Sequence, residues 1–299
     1  MYSNDFESNP VYGEIEEIID EVEKKFKKFK KFDIVSDTPF DHHFLDYKRP
    51  IRRNLLAEKV QQEWRTLETS LPNSILARAY ENRIDLMRAV VIGPPGTPYY
   101  HGLFFFDILF PSNYPNRPPK LFYRSQGLDL NPNLRPEGRV YLSLVENWYG
   151  RLVHGSFGSN VEKWKPEESN VLQVLISIQR LVLNSKPYPN NKNAFMLTCE
   201  AMTRWLQAPP RHFEDFVAGH FRLRSHQILM NYREYTDQSE CMVQLFLKLV
   251  NALEANGSYC KHHLSQVIIE KENTEERDTN NEIVAVFFGK LKNVAVLLA

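Results

Sequence analysis

Apolar residues along this chain fall into two kinds of run, and each spacing predicts a different element. Val90, Val91 and Ile92 form one β-rich run, and residues 103–110, LFFFDILF, form a second. The ten residues between them, GPPGTPYYHG, supply the turn formers Gly93, Pro94, Pro95, Gly96, Pro98 and Gly102, so the pair reads as an antiparallel hairpin with a long tip. In PSNYPNRPPK, the prolines at 111, 115, 118 and 119 exclude helix and give an irregular loop before a third strand at residues 121–123. Asn131-Pro132-Asn133 then opens an extended, irregular segment that runs to Leu144.

Further along the chain the period changes. Val171, Leu172, Leu175, Ile178, Leu181 and Val182 recur at helical spacing over residues 170–183. A helix on a short antiparallel meander is an α+β arrangement. Phe216, Val217, Phe221, Leu223, Ile228 and Leu229 mark another helix, and residues 242–253 carry a further helical apolar face. EKENTEERDTNNE resembles a solvated linker, and the final apolar run is broken by Gly289, Lys290, Lys292 and Asn293. That run is too short and too charged to span a membrane, and reads as a docking helix or an irregular tail.

Ahead of these elements, Ile15, Ile18, Ile19, Val22, Phe26 and Phe29 make an apolar stripe at helical spacing. Residues 14–23 are acidic and KKFKKFKK at 24–31 is basic, a polarity the helix dipole favours. A solvated lysine face is the expectation, with partner or membrane binding and nuclear import as other readings. The chain is thus divided into an N-terminal extension (1–54), a core domain (55–235) with an insert near 149–163, and a C-terminal helical extension and tail (236–299).

Composition narrows the classes. The 299 residues hold 37 Lys plus Arg against 37 Asp plus Glu, so no net field points to nucleic acid or an anionic membrane. Three cysteines without pairing logic suit a reducing compartment, and the polar, acidic residues 1–10 do not read as a secretory leader, which together suggest cytoplasm or nucleus. Cys260-Lys261-His262-His263 and Asp41-His42-His43 each lack a second paired half at zinc-site spacing, so neither metal nor cofactor is expected.

The motifs GPPGTPYYHGLFFFDILFP, PSNYPNRPPK, LNPNLRPEGRVYLSL and Trp164-Lys165-Pro166 occur in one order. In that order and spacing, the chain resembles the ubiquitin-conjugating enzymes over residues 55–235. FDIVSDTPFDHHF is similar to the longer branch that includes hybrid conjugating enzyme and ligase proteins. The resemblance implies an α+β conjugating-enzyme fold: a four-stranded antiparallel meander, an N-terminal helix, a central helix and C-terminal helices. It places the thioester-carrying cysteine eight positions after Asn133, which is Tyr141. By the same likeness Asn131 replaces the motif histidine, and Asn133 orders the loop or supports an oxyanion. The acidic gate position falls near Pro189, without a carboxylate. Partner contacts would come from Lys59 and Arg65 on the first helix, Tyr114 and Asn116 in the proline loop, and Lys165 and Pro166 in the second loop. The partners implied are ubiquitin, activating enzyme, ligases or other conjugating enzymes.

Three functions compete. The first is a catalytically inactive conjugating-enzyme-like protein that acts by non-covalent binding. The second is an active carrier that uses another residue or whose native cysteine is replaced at 141. The third is a decayed duplicate. A phenol with an unperturbed pKa of about 10 is a poor substitute for a thiol at about 8.5, which favours the first over the second.

Overall fold

The structure, a computed structural model, describes residues 20–48, 53–145, 163–186, 191–235 and 239–263. Its centre is a five-stranded sheet in the order β1 (Phe32–Val35), β2 (Ile75–Tyr80), β3 (Leu86–Ile92), β4 (Leu103–Leu109) and β5 (Lys120–Tyr123). Strands β2 to β5 form the expected four-stranded antiparallel meander. A fifth strand extends this meander at its edge, where β1 adds in parallel with Phe32 opposite Ala77 and Val35 opposite Tyr80. The predicted hairpin is β3 and β4, paired from Leu86↔Leu109 to Ile92↔Leu103.

Both faces of the sheet are covered. Alternate residues Ala77, Ala89, Val91, Phe104, Phe106 and Ile108 meet Leu56, Val60 and Leu67 of α2 (Arg53–Ser70) and Val171, Val174 and Leu175 of α3 (Val171–Ser177). The intervening positions Leu76, Val90, Leu103 and Phe105 pack on the other side with α4 (Asn191–Gln207), α5 (Glu214–Tyr235) and α6 (Glu240–Ala255). This double burial explains why LFFFDILF is nearly continuous in apolar residues instead of alternating with polar ones. Among the described residues, no helix is long and apolar enough to cross a membrane.

Helix α3 starts at a capping box. Asn170 accepts from the Gln173 amide, the Gln173 side chain accepts from the Asn170 amide, and two otherwise unpaired donors are satisfied. The helix then widens into a π-helical turn at Ile178–Val182, within the span predicted from its apolar spacing.

The acidic end of the N-terminal stripe lies outside the described residues up to position 19, but α1 (Glu21–Lys28) is present and docks. Phe26 stacks on Phe216 with centroids 5.7 Å apart, and Arg78 lies 4.0 Å from the Phe29 ring centroid. A Cβ on Gly219 would come within 2.4 Å of Phe26, so glycine there permits the close approach of α1 to α5. The lysines of the run stay exposed while the aromatic edge is held.

The end of the sheet that the C-terminal helices leave open is covered by residues 36–48. There Arg88 and Asp107, opposite each other in β3 and β4, form a two-pronged pair at 2.6 and 3.2 Å, with both side chains 0% exposed. Asp41 and Arg124 extend the pair into a network, at 3.1 Å to Arg88 and 2.6 Å between themselves. Burial raises the Asp107 carboxyl, yet the facing Arg88 guanidinium, with His42 and Arg124, outweighs it and holds the group below the ordinary carboxylate range.

Candidate functional site

The segment from 128 to 144 is irregular because its polar groups are satisfied by one amide side chain and by turns. Buried Asn131 donates through Nδ2 to the Tyr99 hydroxyl at 2.7 Å and to the Val182 carbonyl at 3.1 Å. Its Oδ1 accepts from the Asn133 amide at 2.8 Å, closing an Asx turn over Pro132. One side chain therefore links the loop to the hairpin tip and to the π-helical end of the central helix.

Tyr141 is held by its backbone. Its amide donates to the Asn133 carbonyl at 2.8 Å, so the two predicted site residues lie side by side. Leu134, Val140, Leu142 and Leu144 enter the core, which leaves half-buried Tyr141 between two anchored neighbours. The turn before it needs glycine: Gly138 has φ +90° and its amide donates to the Arg135 carbonyl at 2.9 Å. A Cβ at 138 would also lie 2.1 Å from the Phe122 ring.

The expected partner-binding residues divide. Lys59 and Arg65 are exposed on α2, Asn116 is exposed, Lys165 is exposed and pairs with Glu168 at 2.8 Å, and Pro166 is half-buried. Tyr114 differs from them in being buried: it is 6% exposed and its hydroxyl donates to Glu63. Glu63 also accepts from the Val171 amide at 2.9 Å, and Trp164 donates to the Pro115 carbonyl at 2.6 Å beside the cis Tyr114-Pro115 bond. Tyr114 thus joins α2, the proline loop and the start of α3 from inside. Burial raises the Glu63 carboxyl against the opposing Tyr114 and Val171 hydrogen bonds, while burial and the adjacent Glu63 raise the Tyr114 phenol.

None of the three thiols lies in this loop. Cys199 is 0% exposed in the cluster on the far face of the sheet, and burial drives its thiol up. Cys260 is buried and also raised by burial, whereas Cys241 is exposed on α6. Of the three thiols, Cys241 alone is exposed.

Several residues of the site escape sequence reasoning. Glu63 has a signal, since it occupies the same helical stripe as Leu56, Val60 and Leu67. Tyr99 and Phe122 show none. The Cys260-His263 motif has a neighbour in space: His226 of α5 lies with His262 and His263, their ligand atoms all within 4.8 Å of one another. A partner 36 positions upstream of His262 on another helix is outside any short zinc spacing. Residues 146–162, with most of the insert, and the gate position at 189 lie outside the described residues.

A ubiquitin-conjugating enzyme family model matches residues 59–218. The chain is 43% identical over 230 residues to probable ubiquitin-conjugating enzyme E2 24 of Arabidopsis thaliana, covering 69% of this chain and 24% of that protein. It is 41% identical over 226 residues to putative ubiquitin-conjugating enzyme E2 38 of Arabidopsis thaliana, covering 68% and 67%. It is 33% identical over 207 residues to the dual E2 ubiquitin-conjugating enzyme/E3 ubiquitin-protein ligase BIRC6 of Homo sapiens, covering 60% of this chain and 4% of that protein.

Proposed function

Because the chain belongs to the ubiquitin-conjugating enzyme family, we propose that it serves ubiquitination without carrying a thioester, by binding pathway proteins non-covalently. The observation that carries this reading is Tyr141 beside Asn133, at the position the family's cysteine would take, in a loop that no thiol enters. Transthiolation needs a thiolate, and an unperturbed cysteine supplies a few per cent at neutral pH against about one phenolate in a thousand. The phenol oxygen also stands a ring's width from the backbone, and a misplacement of about 1 Å costs on the order of a hundredfold in rate.

The exposed residues Lys59, Arg65, Asn116 and Lys165 are the surface such binding would use, with activating enzyme, ligases, other conjugating enzymes and ubiquitin as the candidate partners. Asn133 then orders the loop instead of supporting an oxyanion.

The test is a charging reaction with activating enzyme, ATP and ubiquitin. The full chain is expected to give no adduct that thiol reductant removes. A reductant-sensitive adduct would sink the proposal, and its loss in Cys241→Ser would locate the carrier. In the complementary reaction, Tyr141→Cys regains an adduct if the nucleophile alone is missing. A pull-down with ubiquitin and its pathway proteins separates a binding role from a decayed duplicate.

A further inference from the structure

We infer that His226, His262 and His263 form a three-histidine site for a divalent transition metal ion, zinc foremost, that joins α5 to the turn after α6. The three ligand atoms lie within 4.8 Å of one another, and His226 Nδ1 and His263 Nε2 are 2.9 Å apart. A tetrahedral zinc with bonds of about 2.0–2.1 Å needs nitrogens about 3.3 Å apart. The close pair opens by a few tenths of an ångström, and the exposed rings of His226 and His262 supply the remaining motion by rotating about their side-chain bonds.

The scaffold that presents these rings is already fixed by other contacts. Helix α6 ends with the Gly257 amide on the Glu254 carbonyl at 2.8 Å and the Ser258 amide on the Leu253 carbonyl at 3.0 Å, a Schellman turn. Gly257 has φ +84°, and a Cβ there would fall 2.4 Å from the Arg222 guanidinium. Arg222, one helical turn before His226, donates to the Asn256 carbonyl at 2.9 Å. The Glu254 carboxylate accepts from the amides of Cys260 and Lys261, fixing the two residues before His262. The ligands therefore come from two elements held together before any ion arrives, which lowers the ordering cost of binding.

Ligand chemistry selects the ion. Three imidazoles suit zinc, copper, nickel or cobalt, and offer none of the oxygen ligands that calcium and magnesium require. Three protein ligands leave a fourth position for water or another donor.

The experiment uses the full chain without a polyhistidine tag, stripped with chelator and titrated calorimetrically with zinc chloride, with magnesium chloride as the control. One equivalent of zinc is expected to bind saturably, while magnesium gives no binding. His226→Gln and His262→Gln are each expected to weaken zinc binding by more than about tenfold, the lower bound seen even for outer-sphere partners. Both residues are exposed, so these variants should fold, and far-UV circular dichroism of each confirms it. Cys241→Ser should bind zinc as the parent does. Failure of the parent to bind, unchanged binding in folded His226→Gln and His262→Gln, or loss of binding in Cys241→Ser would each overturn the assignment.

Discussion

His43 lies flat on Phe122, with ring centroids 3.6 Å apart and planes 5° from parallel. The His43 amide is itself pinned to the Asp107 carboxylate at 2.8 Å, and the Phe122 ring abuts Gly138. A side chain from the segment before the family-matched region thus supports the turn that leads to Tyr141. Gly138→Ala combines a left-handed φ with a collision against that ring, so it is expected to cost about 2–4 kcal/mol. Urea unfolding measures the loss. The double variant with Phe122→Ala should cost less than the sum of the singles, because it removes the collision while leaving the backbone strain.

Asn131→Leu would strip the Tyr99 hydroxyl, the Val182 carbonyl and the Asn133 amide of one shared partner. Each buried group left unpaired costs about 1–3 kcal/mol, and partial access to water brings the expected total to about 2–4 kcal/mol. A loss under about 0.5 kcal/mol by denaturant titration would contradict the role given to this amide.

The pair of Arg88 and Asp107 stabilises only as a pair. Asp107→Asn leaves a buried guanidinium short of its countercharge and is expected to cost about 3–5 kcal/mol. Arg88→Met combined with Asp107→Leu should recover much of that loss, although Asp41 and Arg124 then lose contacts of their own. Thermal unfolding of the parent and the two variants distinguishes these outcomes.

Acid should unfold this chain through buried neutral histidines. Burial, with Arg224 adding to it and the Gln227 hydrogen bond opposing, lowers His101 from 6.5 to about 4. Burial also lowers His42 and His220. A depressed histidine means that the unfolded chain binds protons first, so stability is complete above pH 6.5 and declines as pH falls toward the folded value. For His101 the interval down to about 4 amounts to roughly 3 kcal/mol. His101 has φ +62°, which asparagine tolerates, so His101→Asn is the variant to compare by urea midpoints at pH 7 and pH 4.5. The variant should lose less on acidification than the parent.

The sheet was largely legible because β3, β4 and β5 carry dense apolar runs bounded by glycine and proline, and the central helix because its apolar spacing is regular. Strand β1 was not, since four residues with no buried position become a strand only by pairing with β2, some forty residues later in the chain. Asn133 and Tyr141 could be picked out only through the resemblance of the loop to the conjugating enzymes, and the Tyr141 amide donates to the Asn133 carbonyl. Tyr114 could not be placed, because an aromatic in a proline-rich loop reads as surface until its carboxylate partner on α2 is seen. His226 was hidden for the same reason: its neighbours are near in space and far in sequence.

The loop around position 141 is fastened by main-chain bonds and by the Asn131 amide, so replacing the side chain there should shift stability by no more than about 0.5 kcal/mol. Tyrosine and cysteine codons differ by a single base. The side chain carried at this position is therefore separable from folding, and one point mutation exchanges the phenol for a thiol on the same backbone.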